Sequence, residues 1–286
     1  MDAAAELRYR EVIEANQKVH TALAGVYNTS EPHFRPENIA HVEGKLQGIF
    51  TRTSARRLLD LGCGTGFIIN IAKKYVAEID GLDVTQAMLD QVDRTGGATI
   101  RLHLADTGSF PAEPDSYDVV TAYSFLHHLY TIGPTLKTAA RALRPGGQFF
   151  CDLEPNRLFW EAIKGLDKAG VYDPIVERER ASVLEKDTEI QEKFKIDRDL
   201  FNQAEYNKNI TGGFSEEMLS QEILAAGFRD VSFSYYWFLG QAGIVNDARY
   251  SRDQRLLMAS VCAETLQRGL PLTRHLFKYM GFVATR

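Results

Sequence analysis

Cysteine is scarce in this chain. Cys63, Cys151 and Cys262 are the only three among 286 residues, and they stand far apart. That number and spacing exclude a disulfide framework and a paired-cysteine metal site. They leave three small hydrophobic side chains kept reduced. Long apolar runs are missing as well. No stretch approaches the ~18 residues of a membrane span. The first residues, Met1-Asp2-Ala3-Ala4-Ala5-Glu6, lack a basic-then-apolar leader pattern. The expectation is a cytoplasmic protein without membrane attachment. Positive charge is not in excess: 33 Lys and Arg stand against 38 Asp and Glu, for a net charge of −5. Nucleic acid is a poor partner for that balance. Internal repeats and low-complexity tracts are absent too. What is present is 44% hydrophobic and 10% aromatic residues, enough for one large core carrying a subdomain.

The chain is organised around Leu58-Leu59-Asp60-Leu61-Gly62-Cys63-Gly64-Thr65-Gly66. The apolar run predicts a buried parallel strand, covered on both faces. The three glycines predict a tight strand-to-helix turn that a ligand can approach closely. Asp60, an acid inside a buried run, needs a hydrogen-bond partner or a ligand.

Around this stretch, strands are predicted at 57–61, 78–83, 99–104, 117–122, 148–153, 229–238 and 277–284. Helices are predicted at 4–27, 36–51, 66–75, 85–94, 134–143, 215–226 and 252–268. Thr85 is a candidate N-cap. Between the first two helices, Glu31-Pro32-His33-Phe34-Arg35-Pro36 is stiffened by prolines, and Arg35 could pair with a ligand carboxylate. Residues 154–212 break the alternation. They are highly charged, rich in aromatics and weak in strand signal, which suits a helical cap near 157–168 and 175–191. The domain reading is a helical lid over 1–55 and an α/β domain over 56–286, with 154–212 as its insert. Strands alternating with helices imply a mostly parallel sheet with right-handed crossovers.

In open α/β sheets, ligands lie outside the carboxyl ends of the strands. There the chain places Asp60 with Gly62, then Asp83, then Asp106, then Ser124 to His128. Asp83 follows Gly62 by 21 residues, near the ~20 expected for an acid that grips ribose hydroxyls. Unfilled acids side by side repel, so a ligand rich in hydroxyl and amine groups suits them. No basic residue in these turns can anchor a pyrophosphate, though backbone amides can.

Taken in order, the glycine stretch, Gly81-Leu82-Asp83-Val84-Thr85, Ala105-Asp106, Ser116-Tyr117-Asp118-Val119-Val120 and Leu143-Arg144-Pro145-Gly146-Gly147 resemble the successive motifs of class I S-adenosylmethionine methyltransferases of the small-molecule type. The resemblance covers residues 56–153. It implies a Rossmann-like, seven-stranded, mostly parallel sheet with helices on both faces, and S-adenosylmethionine as cofactor. It implies that Gly62, Gly64 and Gly66 pass under the methionine part, with Asp60 organising its amino group. Asp83 would take the ribose hydroxyls. Met88 would lie beside adenine, and Asp106 would accept from the adenine amine with Thr107 nearby. Tyr123 and Ser124 would border the sulfonium or the carboxylate, and Tyr27 would close over the cofactor.

For a hydroxyl acceptor, a general base is worth about 10²–10⁴-fold. His128 is the first candidate and His127 the second, with His33 the third. His127 and His128, being adjacent, are expected to point in different directions and to form no metal site. The expected partner is a small, partly apolar acceptor of a methyl group at O or N. Phe34, Phe125, Phe159, Trp160, Tyr235, Tyr236 and Trp237 are candidates to line its pocket. A homodimer is left open. Two rivals stand beside this reading: a cofactor-binding fold that transfers no methyl group, and a nicotinamide dehydrogenase, against which the glycine spacing and Asp106 argue.

Overall fold

The computed structural model describes residues 2–167 and 169–286. Its centre is a seven-stranded sheet. The strands are Arg57–Leu61 (β1), Glu78–Asp83 (β2), Thr99–Leu104 (β3), Tyr117–Tyr123 (β4), Leu143–Pro155 (β5), Asp230–Phe238 (β6) and Phe277–Thr285 (β7). They lie in the order β3-β2-β1-β4-β5-β7-β6. The first five strands pair in parallel, while β7 runs antiparallel to both β5 and β6. The order reverses between β1 and β4, so the carboxyl ends of these two strands open the crevice where such sheets bind ligands.

Alternation along each strand splits the core in two. Leu58, Ile79, Val119 and Phe150 pack on one face beneath the helices Pro36–Thr53 and Phe67–Ala72. Leu59, Val120, Phe149 and Phe282 pack on the other with Leu136 and Ile223 from the helices Gly133–Ala142 and Glu216–Ala225. A third cluster joins Ala15, Val19 and Leu23 of the helix Ala3–Leu23 to Ile190, Ile196 and Phe201 of the segment after β5. The N-terminal helix and that segment are thus one packed unit. Among the described residues, no helix is long and apolar enough to cross a membrane.

Several predicted helices are shorter than the sequence pattern suggests. The N-terminal one ends at Leu23 and resumes as Tyr27–Ser30 after a turn. The helix after the glycine turn begins only at Phe67, because Gly66 is left-handed. The helix predicted at 85–94 is the single turn Gln86–Leu89. Asp93 instead takes the Thr95 N–H on its own carboxylate, and a local turn of that kind competes with a helix. Thr85 holds the N-cap position without a side-chain capping bond. β5 starts at Leu143, upstream of the predicted strand. Between its end and residue 213 come the helices Arg157–Lys164, Pro174–Leu184, Lys186–Phe194 and Arg198–Ala204, with no strand among the described residues. The helix Gln241–Val245 was not predicted.

Candidate functional site

The glycine turn makes the floor of the site. Gly62 has φ 67°, and a side chain there would collide with the Phe125 ring. Gly64 has φ 52° and open space beyond its Cα, while its N–H donates to Asp83 Oδ2 at 2.9 Å. Asp83 Oδ1 accepts from Thr85 N at 2.8 Å, so the acid after β2 ties two turns together. Burial raises its pKa above the usual carboxylate range, partly offset by the nearby His20 and by these N–H donors.

Asp60 is buried behind this turn. Its Oδ1 accepts from Thr121 Oγ1 at 2.7 Å, and Oδ2 has no partner. Burial pushes its pKa up to about 7. The Thr121 bond opposes the rise and Asp83 adds to it. Asp106, after β3, accepts from Tyr9 Oη at 2.7 Å and from Gly108 N at 3.2 Å. Thr107 Oγ1 pairs with Thr135 Oγ1 at 2.9 Å.

Of the predicted site residues, Tyr27, Gly62, Gly64, Asp83 and Met88 line one pocket together with Asp106, Thr107, Tyr123, Ser124 and His128. Asp60, Gly66 and His127 lie outside its lining. Among the described residues, no Lys or Arg lines it. Its free volume is about 80 Å³, because the helix Ala3–Leu23 lies across it. Besides the Tyr9–Asp106 bond, Gln17 Nε2 donates to Val84 O at 3.0 Å and Asn16 Nδ2 donates to His128 O at 3.0 Å. Tyr9, Asn16 and His20 were missed in the sequence. A buried asparagine on the apolar face of an amphipathic helix was the available signal.

The two histidines do not diverge as predicted. The short turn Leu126–His128 brings their rings to 4.2 Å between centroids, tilted by 37°. Glu154, buried at the end of β5, builds this turn. It accepts from the N–H groups of Phe125, Leu126 and His127 at 2.8–3.0 Å, and its Oε2 lies 2.8 Å from His127 Nδ1. Nothing in the sequence reading singled out Glu154 beyond its place after a buried strand. His127 Nε2 lies 3.7 Å from Glu205 Oε2, which also takes the Lys208 ammonium at 2.5 Å. One ligand atom each of His127, His128 and Glu205 falls within 4.8 Å of the others. Lys208 already supplies the charge opposite Glu205, whose pKa is held well below the usual carboxylate range against the pull of burial.

His128 Nδ1 is 2.9 Å from Ala204 O. A carbonyl only accepts, so Nδ1 carries the proton and Nε2 is bare. Burial and the neighbouring His127 lower its pKa well below the usual histidine value. His33 is neutral as well, its pKa lowered to about 4 by burial, and its ring packs against Tyr27, Phe34, Phe67 and Tyr123.

A second cavity of about 810 Å³ opens beside the first, and Tyr123 lines both. Its wall includes Tyr235, Tyr236 and Trp237, three of the aromatics expected to line an acceptor pocket, while Phe34 and Phe125 line the smaller pocket. Phe159 and Trp160 line neither. They are 1% and 2% exposed and belong to the packing of the helix Arg157–Lys164.

With this geometry in view, comparison with known proteins places the fold. Residues 59–151 match the family described as methyltransferase domain. That stretch resembles a class I S-adenosylmethionine methyltransferase domain. It is 29% identical over 147 residues to a ubiquinone biosynthesis O-methyltransferase of Vibrio cholerae, covering 46% of this chain and 55% of that one. It is 30% identical over 118 residues to the 27-O-demethylrifamycin SV methyltransferase of Amycolatopsis mediterranei, covering 39% and 43%. The chain thus spans about half the length of the curated relatives it matches. Among solved structures, a SAM-dependent methyltransferase from Archaeoglobus fulgidus superposes with a TM-score of 0.51 at 15% identity, covering 87% of this chain and 94% of that one. One from Mesorhizobium loti also gives 0.51, at 19% identity over 85% and 96%. These two likenesses support the sheet and its helices.

Proposed function

We propose that this chain is a methyltransferase that uses S-adenosylmethionine to methylate an oxygen or nitrogen of a small, partly apolar metabolite in the cytoplasm. The observation that carries this is a pocket at the sheet's reversal point that combines the glycine turn with acids from successive strands and has no Lys or Arg among the described residues of its lining. Such a pocket suits a nucleoside with a positive centre and offers a pyrophosphate no basic side chain. The unpartnered oxygen of Asp60 behind the turn supports the fit, because a buried carboxylate oxygen calls for a donor or a cation.

In this reading Asp83 holds the ribose hydroxyls, Asp106 the adenine amine, and the Gly62–Gly66 turn the methionine part. When bound, the cofactor supplies an activated methyl group on sulfur. The protein's share is orientation, which is worth roughly 7–11 kcal/mol when reacting atoms are held in line. Residues 1–55 act as a lid and 154–212 as a cap over the acceptor. An acceptor entering from the larger cavity passes Tyr123. His128, with its bare Nε2, would take the proton of the acceptor hydroxyl. His127 supports the same turn through Glu154. The test is incubation with methyl-labelled cofactor and a panel of small phenols, alcohols and amines. A mass gain of one methyl group on an acceptor is expected. Label that never leaves the cofactor, in folded protein that binds it, overturns the transfer step.

A further inference from the structure

We propose that the larger cavity is the acceptor site and that it selects an anion: a small molecule with an apolar, ring-bearing body and a carboxylate. This rests on the methyltransferase reading and names its substrate class. At about 810 Å³ the cavity lies within the range of pockets that enclose a small ligand.

Volume names no ligand, but the charges on the lining do. Its acids are each matched by a cation of the protein. Asp152 pairs with Lys45 at 3.1 Å, Glu179 with Lys278 at 3.1 Å, Glu37 with Arg252 at 3.2 Å and Glu264 with Arg268 at 2.5 Å. The side chains of two cations on the lining, Arg35 and Arg178, make no hydrogen bond or ion pair among the described residues, and Arg35 acts only through space on Glu37, which Arg252 already pairs. Arg35 sits between Pro32 and Pro36, and Arg178 lies on the helix Pro174–Leu184. The cavity is therefore left positive after its own pairs cancel. A guanidinium presents a planar fork that matches a carboxylate.

The body of the ligand is indicated by the wall. Tyr236, Trp237, Phe238 and Phe277 line it. Trp237 is held with φ 52°, and the β6–β7 ladder passes over it, pairing Tyr236 with Tyr279 and then Phe238 with Phe277. Leu153, also on the lining, has φ 61° where the β5–β7 register shifts. Two bulky residues in left-handed backbone on one cavity are the kind of strain that gathers at ligand sites. A ring stacked on this wall, with its carboxylate at the arginines, would turn its other end to Tyr123 and the cofactor pocket.

The test is calorimetric titration of the full chain with ring acids, each beside its own amide, for example 6-hydroxy-2-naphthoate and 6-hydroxy-2-naphthamide, with and without saturating S-adenosylhomocysteine. The acid should bind about tenfold more tightly than the amide, the gain of up to two solvent-facing ion pairs. In the double variant Arg35→Gln, Arg178→Gln that preference should fall towards unity, with amide and S-adenosylhomocysteine affinities unchanged. Equal binding of acid and amide, no binding of either to folded protein, or a preference that survives in the double variant overturns the proposal. Acid selectivity in protein that does not bind S-adenosylhomocysteine keeps the anion site and removes the methyltransferase reading. Cofactor-product binding without acid selectivity does the reverse.

Discussion

Asp60 has one carboxylate oxygen satisfied and one bare, and burial moves its pKa up to about 7. Its pH behaviour is therefore the reverse of an ordinary salt-bridged acid. The folded chain holds a proton that the unfolded chain releases near pH 4. Stability from this group is full below about pH 4 and declines as pH rises towards about 7. A cationic ligand group prefers the ionised form. Affinity for S-adenosylhomocysteine, measured by calorimetry between pH 6 and 8, should rise through about pH 7, and Asp60→Asn should flatten the rise. His128→Ala should lower turnover by about 10²–10⁴-fold if that imidazole is the base, with product-cofactor affinity held within a few-fold. Full turnover in the variant would remove it from that role. Its lowered pKa keeps it neutral and ready to accept at pH 7, though as a weak base.

The helix Ala3–Leu23 covers the pocket, and its Tyr9 hydroxyl holds the carboxylate expected to bind the adenine amine. With about 80 Å³ free, the closed chain cannot admit a nucleoside without this helix moving. Cofactor entry then has to break the Tyr9–Asp106 bond. Tyr9→Phe should tighten S-adenosylhomocysteine binding roughly five-fold, the worth of one hydrogen bond of about 1 kcal/mol. Weaker binding in that variant would show that the hydroxyl stays in the complex as part of the site. The turn Leu126–His128 is rigid by comparison. Its backbone donors end on the buried Glu154, which fixes where His127 and His128 stand.

For the molecule as a whole, the strands were legible because buried parallel strands write nearly continuous apolar runs, and Leu58–Leu61 and Val119–Ala122 are such runs, each broken by one polar residue, Asp60 and Thr121. The acids at the strand ends were legible because the sheet sets their position. Helix lengths were not, since Gly66 and the Asp93 turn override the apolar pattern locally. The larger cavity was legible only in part. Its walls come from the Pro32–Val42 stretch, the Pro174–Leu184 helix, β6 and the Arg252–Arg268 helix, which no local pattern brings together. Because the N-terminal helix and the segment after β5 share a core, a ligand that engages the helix should stabilise the whole chain. S-adenosylhomocysteine at 100 times its Kd should raise Tm by about 5 °C. Unchanged Tm in protein purified free of ligand would contradict the coupling.

The most direct test of the account is calorimetric titration of S-adenosylhomocysteine into the wild-type chain and Asp83→Ala, after checking that neither carries bound ligand. The account predicts one site per chain in the wild type. It predicts affinity weaker by about 10- to 100-fold in the variant, the loss of hydrogen bonds to a charged acceptor. Absent binding in folded, empty wild-type protein, or equal affinity in the variant, would contradict it.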